Sequence, residues 1–120
     1  MRRARPEALL QQSVVELLTL TAGPHTLALS IPNERQCSPA TMSGLKKLGL
    51  RPGAADLLVI VAVQCHFLEF KSPDGRQSPE QRAFEMLATA ARCPYVLART
   101  LEEAQSALRS WNAFRIRRPR

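Results

Sequence analysis

Leu9, Leu10, Val14, Leu17 and Leu18 recur at three- and four-residue spacing, which predicts a helix over residues 6–21. Pro6 suits its first turn, and Gly23-Pro24 ends it. Residues 25–31 alternate loosely between apolar and polar and stop at Pro32-Asn33, the pattern of a short strand. Ser38-Pro39 opens a second helix that runs to Leu48 and closes at Gly49. Ser78-Pro79 opens a third, which reaches about Arg92. A short strand over residues 94–99 and an amphipathic helix over residues 101–114 complete the chain.

Between the second and third helices the period changes. Residues 56–63 are apolar on both faces, as expected of a strand inside a covered sheet. Gln64-Cys65 leaves room only for a tight turn, and residues 66–71 form the next strand, most simply antiparallel to the last. Helices and strands are interleaved, so the expected class is α/β with a mixed central sheet flanked by helices. Alternation along a strand puts Phe67, Glu69 and Lys71 on one face. With a hairpin about Gln64, Asp56 and Lys71 lie opposite each other near its open end. A carboxylate, a second carboxylate and an ammonium then converge at the edge of an apolar sheet.

The 120 residues are enough for one domain, and a hydrophobic fraction of 45% suits a packed core rather than a disordered chain. No apolar run approaches the ~20 residues that span a membrane. Glu7, Gln11 and Gln12 interrupt the N-terminal stretch before a signal peptide's apolar segment would form, so a cytoplasmic protein is expected. The net charge is +7, but seven of the 17 basic residues are Arg2, Arg3, Arg5, Arg115, Arg117, Arg118 and Arg120. The remaining ten balance the ten acidic ones, leaving a near-neutral domain over residues 6–114. Basic arms over residues 1–5 and 115–120 flank it. Such arms either neutralise phosphates without reading sequence or simply keep the protein soluble. Cys37, Cys65 and Cys93 have neither zinc spacing nor a Cys-x-x-Cys pair, and their odd number argues against a disulfide framework.

Ionisable groups within an apolar sheet are costly unless they pair or bind metal. Two neighbouring carboxylates repel, and a divalent cation removes the repulsion. Magnesium takes oxygen from one or two carboxylates and completes its shell with water and substrate phosphate. Asp56 and Glu69 fit that description, and Lys71 is placed to orient a water or to stabilise developing negative charge. The competing reading makes Asp56 the end of a turn and Glu69 with Lys71 a surface ion pair. The apolar residues around Asp56 and Glu69 weigh against it.

Ser78 and Gln81 form a capping box, sufficient reason for Gln81 unless the helix start faces the sheet edge. Glu7 stands where a helix dipole favours a carboxylate. Lys46, Lys47, Arg51 and Arg35 line either a phosphate-binding face or a solvated one. His25 and His66 read as packed or exposed, and Trp111 with Phe114 as packing for the last helix.

One family brings these segments together. Pro32-Asn33, residues 45–57 through Lys46-Lys47-Leu48-Gly49 and Ala55-Asp56-Leu57, Phe67 through Lys71, and Gln77 through Gln81 resemble the virus-type replication–repair nucleases, the VRR-NUC branch of the PD-(D/E)xK superfamily. The resemblance runs from about Glu7 to Phe114. It implies a restriction-endonuclease-like α-β-β-β-α-β core that cleaves DNA with magnesium or manganese. By that resemblance Asp56 and Glu69 are metal ligands and Lys71 the catalytic lysine, with Gln81 joining them. Glu7, or Glu16 in its place, is the acid of the first helix, and Asn33 and Arg35 lie near the substrate path. Stand-alone relatives of this size, often phage or bacterial, are similar to Holliday-junction resolvases and act as homodimers, so branched DNA and a second copy are the expected partners. Glu34 replaces a usual glycine, Ala55 a usual proline, and the hairpin is short. The alternative is a DNA-binding module that keeps the fold without cutting, although such a relative is expected to lose one of Asp56, Glu69 and Lys71.

Overall fold

A computed structural model describes residues 5–31 and 38–116. In order, the elements are α1 (Arg5–Thr21), β1 (Thr26–Ser30), α2 (Pro39–Lys47), β2 (Leu57–Val61), β3 (Gln64–Phe70), α3 (Pro79–Ala90), β4 (Tyr95–Ala98) and α4 (Leu101–Ser110). The strands form a mixed sheet ordered β1-β2-β3-β4, antiparallel except for the parallel pair β3–β4. The crossover between that parallel pair is α3, as a parallel connection requires.

The two faces of the sheet do different jobs. Leu57, Val59, Leu68, Phe70 and Ala98 point to one face and pack with Val14 and Leu18 of α1 and Ala104, Ala107 and Leu108 of α4. All are buried, and each large side chain withdrawn from water contributes about 1.5–3 kcal/mol. The opposite face takes the alternate residues. Phe67, Phe84 and Tyr95 meet there as an aromatic cluster, with Phe67 edge-on to Phe84 at 5.0 Å between centroids. This face is only half covered: Leu58, Ile60 and Phe67 are half-buried, and Leu27 and Leu29 of the edge strand β1 are exposed. The expectation that the residue 56–63 strand is enclosed on both sides is therefore corrected to one enclosed face.

The hairpin between β2 and β3 turns at Ala62-Val63 rather than at Gln64-Cys65, because Val61 pairs with Gln64. Ala62 supplies the positive φ, 55°, that a two-residue hairpin demands, without the glycine or asparagine that usually advertises one. The last helix also ends earlier than residue 114. Asn112 adopts φ 59° just past the cap Trp111, and the Ala113 amide donates to the Leu108 carbonyl at 2.9 Å, a Schellman closure. The chain then bridges back from Phe114 to Ala22. Arg115 belongs to this closure: its amide donates to the Thr21 carbonyl at 2.6 Å.

Candidate active site

The corrected hairpin decides which residues face each other. Leu57 pairs with Leu68, so continuing the ladder by one residue sets Asp56 across from Glu69, not Lys71. The two-residue shift keeps the parity of the strands, so all three side chains stay on the half-covered face. The Phe70 amide donates to Asp56 Oδ2 at 2.8 Å, anchoring that carboxylate to β3. Its main-chain carbonyl accepts from the Ile31 amide at 2.9 Å, which fixes the backbone from the side of β1.

Glu69 and Lys71 are only 2% and 4% exposed, so neither belongs to a surface ion pair. Glu69 Oε2 accepts from Gln81 Nε2 at 2.8 Å. The same glutamine closes the α3 capping box: its Oε1 accepts from the Ser78 amide at 2.8 Å, and its own amide donates to Ser78 Oγ at 3.1 Å. The helix start does face the sheet edge, and Gln81 serves both purposes. Gly53 makes the close approach feasible. At φ 79° it lies so near α3 that an added Cβ would fall on the Glu80 carbonyl and 2.6 Å from the Gln81 nitrogen.

Glu7 is buried in the first turn of α1, and its Oε2 accepts from the Ser72 amide at 3.4 Å. Glu16 is exposed and bonded to Gln12, away from the site. Among the described residues no three His, Cys, Asp or Glu side chains form a ready-made metal cluster. Asp56, just ahead of β2, and Glu69 of β3 offer two carboxylates, hard oxygen donors of the kind magnesium and manganese take.

Tyr95 and Gln77 border this arrangement, Tyr95 unmarked by the sequence and Gln77 marked only as the start of the segment that ends at Gln81. Tyr95 pairs with Phe67 across β3–β4 and so shares the face of Glu69. Gln77 Nε2 donates to the Tyr95 hydroxyl oxygen at 3.2 Å and to Glu85 Oε1 at 3.0 Å. Burial, and then the nearby Glu69 charge, push the Tyr95 phenol well above its ordinary range, so it stays protonated. The signal that joins them to the site is spatial, since nothing local in the sequence ties Tyr95 to Gln77 or to Glu69.

Lys46, Lys47 and Arg51 are exposed, the first two in the last turn of α2. Asn33 and Arg35 lie outside the described residues. His66 is buried on the opposite face, bonded through Nδ1 to the Val59 carbonyl at 2.9 Å and stacked on Trp111 at 4.5 Å. A cavity of about 830 Å³ lined by Pro24, Val61, His66 and Trp111 sits at that far end of the sheet and includes none of the site residues.

No protein-family model and no curated protein matches the chain. Among solved structures, a protein described as a VRR_NUC domain protein superposes with a TM-score of 0.69, covering 92% of this chain and 90% of that one, at 14% identity. The chain therefore has the fold of that VRR_NUC domain protein, over nearly the whole of both chains.

Proposed function

We propose that this protein is a metal-dependent DNA endonuclease of the PD-(D/E)xK type, within the VRR-NUC family. The observation that carries the reading is Asp56 set opposite Glu69, one residue beyond the Leu57–Leu68 pair and anchored by the Phe70 amide, with the buried Lys71 beside them. The solved structure with this fold, itself described as a VRR_NUC domain protein, supports it. Asp56 and Glu69 would hold magnesium or manganese, which when bound supplies Lewis-acid polarisation of the phosphodiester and favours ionisation of water. Gln81 keeps Glu69 in place, and the Phe70 amide does the same for Asp56. Lys71 orients the attacking water and stabilises charge that develops on the phosphoryl oxygens. Tyr95, kept protonated, offers a neutral hydroxyl at the border of the site.

The substrate is read as branched DNA and the working form as a homodimer, since two sites related by a two-fold axis can engage two strands of one junction. The exposed Lys46, Lys47 and Arg51 contribute phosphate contacts. The test is incubation of the full chain with four-way-junction, flap and linear DNA in magnesium, manganese or chelator, alongside Glu69→Gln. Cutting that needs metal and vanishes in the variant is the expected result. Metal-independent cutting, or full activity in Glu69→Gln, contradicts the reading. Binding without any cutting points to a DNA-binding module instead.

A further inference from the structure

Lys71 does not hold its position unaided. It follows β3 directly, its amide donating to the Ala98 carbonyl at 3.1 Å, and its stem passes beneath a turn over residues 72–75. At Gly75 the packing is close enough that an added Cβ would lie 3.4 Å from Lys71 Cδ. The Gly75 amide closes the turn on the Ser72 carbonyl at 3.0 Å. From one side the turn is held by Glu7, through the Ser72 amide. From the other it is held by Arg99, the residue that follows β4. Arg99 Nη1 donates to the Ser72 carbonyl at 2.8 Å and the Gly75 carbonyl at 2.6 Å, with the Pro73 carbonyl at 3.4 Å.

This is an unusual use of a guanidinium. One nitrogen gathers three carbonyls of a four-residue turn, and among the described residues no carboxylate bonds to that nitrogen. The backbone of Arg99 is itself fixed, because its amide donates to Glu103 Oε1 at 2.7 Å, beside the Thr100 cap of α4. Charge-assisted bonds of this type are stronger than neutral ones, and the planar fork directs its hydrogens in a way an ammonium does not.

We propose that Arg99 is a positioning residue for Lys71: by gathering the residue 72–75 turn around the lysine stem, it sets where the ammonium stands relative to Asp56 and Glu69. The proposal rests on the nuclease reading for Lys71's chemistry, but the ordering of Lys71 can be measured without any cutting.

Two measurements on the full-length protein test it, using Arg99→Gln and the more conservative Arg99→Lys. In steady-state cleavage of whichever DNA the wild type cuts, Arg99→Gln is expected to lower kcat about 10–100-fold, the effect of misplacing a catalytic group by about 1 Å. KM should stay within about twofold, because Arg99 is not assigned a DNA contact. Arg99→Lys, which keeps the charge but loses the fork, should recover only part of that loss. In the second measurement, the side-chain Cε signal of selectively labelled Lys71 is followed by NMR. It should be distinct in the wild type and move toward the position of solvent-exposed lysines in both variants. Unchanged kcat in both variants, a loss confined to KM, or an unmoved Lys71 signal in a folded variant overturns the proposal. If the wild type cuts nothing, the nuclease reading falls, and the Lys71 signal alone still decides whether Arg99 orders that side chain.

Discussion

Gln81 works at both ends of a single amide, one end serving the start of α3 and the other the buried carboxylate of Glu69. Two substitutions separate these duties. Gln81→Ala removes both and should lower stability by about 1–3 kcal/mol, since a cap is lost and a buried acceptor loses its donor. Gln81→Glu keeps an acceptor for the Ser78 amide but sets a second carboxylate against Glu69. Two buried like charges raise a carboxyl pKa in the folded state. Relative to the wild type, that variant should therefore lose stability as pH rises above about 4, the ordinary glutamate value. Chemical denaturation at several pH values checks both, and a Gln81→Glu curve parallel to the wild type would break the link to Glu69. Tyr95 gives a second pH test. Its phenol titrates higher folded than unfolded, so its contribution is whole below pH ~10 and is lost as pH rises beyond that. Tyr95→Phe should flatten the decline in stability between about pH 10 and 11, whatever it costs at neutral pH through the bond to Gln77.

Among the elements, the helices were the legible part, because their apolar residues recur at helical spacing and proline or glycine marks their ends. The β2–β3 hairpin was legible as a hairpin but not in register. Ala62-Val63 carries no turn chemistry, and Gln64-Cys65, the more polar pair, looked like the break. Because the error was an even number of residues, the faces of Asp56, Glu69 and Lys71 were still assigned correctly while their opposite numbers were not. Glu69 and Lys71 stood out because an otherwise apolar stretch carries its charges at alternate positions, and Asp56 because it heads the neighbouring apolar run. Gly53, Tyr95 and Arg99 could not, since each acts through a residue distant in sequence. Gly53 illustrates the cost of such a contact. Gly53→Ala introduces both a strained positive φ and a Cβ against α3, which must move and take Gln81 with it. It should lower stability by at least about 1–3 kcal/mol and reduce cleavage more than stability alone accounts for at temperatures where the variant is fully folded. Thermal unfolding and cleavage measured together check this, and wild-type values in both would remove the argument for the close approach.

The molecule as a whole divides labour between the two faces of one sheet: α1 and α4 seal the apolar face, and the other, half open, carries the polar site. No helix among the described residues is long and apolar enough to cross a membrane. The net charge resides largely in the terminal arginines, although Arg115 proves to be tied to the end of α1 rather than standing in an arm. The residues to delete are therefore 117–120, which include Arg117, Arg118 and Arg120. If all three contact phosphates, the deletion should flatten the plot of log binding constant against log salt by roughly 2–3 units, at about 0.9 per contact. Affinity should fall most at low salt, and equal losses at low and high salt would show that the tail acts otherwise. The fold likeness at 14% identity explains why the architecture is recognisable in three dimensions while no family model matches the sequence.

The most direct test of the central claim is single-turnover cleavage of a four-way DNA junction by the wild type and Lys71→Ala, with binding to the same junction measured in parallel. The account predicts metal-dependent cutting by the wild type and a loss of at least about 100-fold in the variant, the scale of a missing electrostatic stabiliser, with affinity nearly unchanged. A Lys71→Ala protein that cuts as fast as the wild type would contradict it.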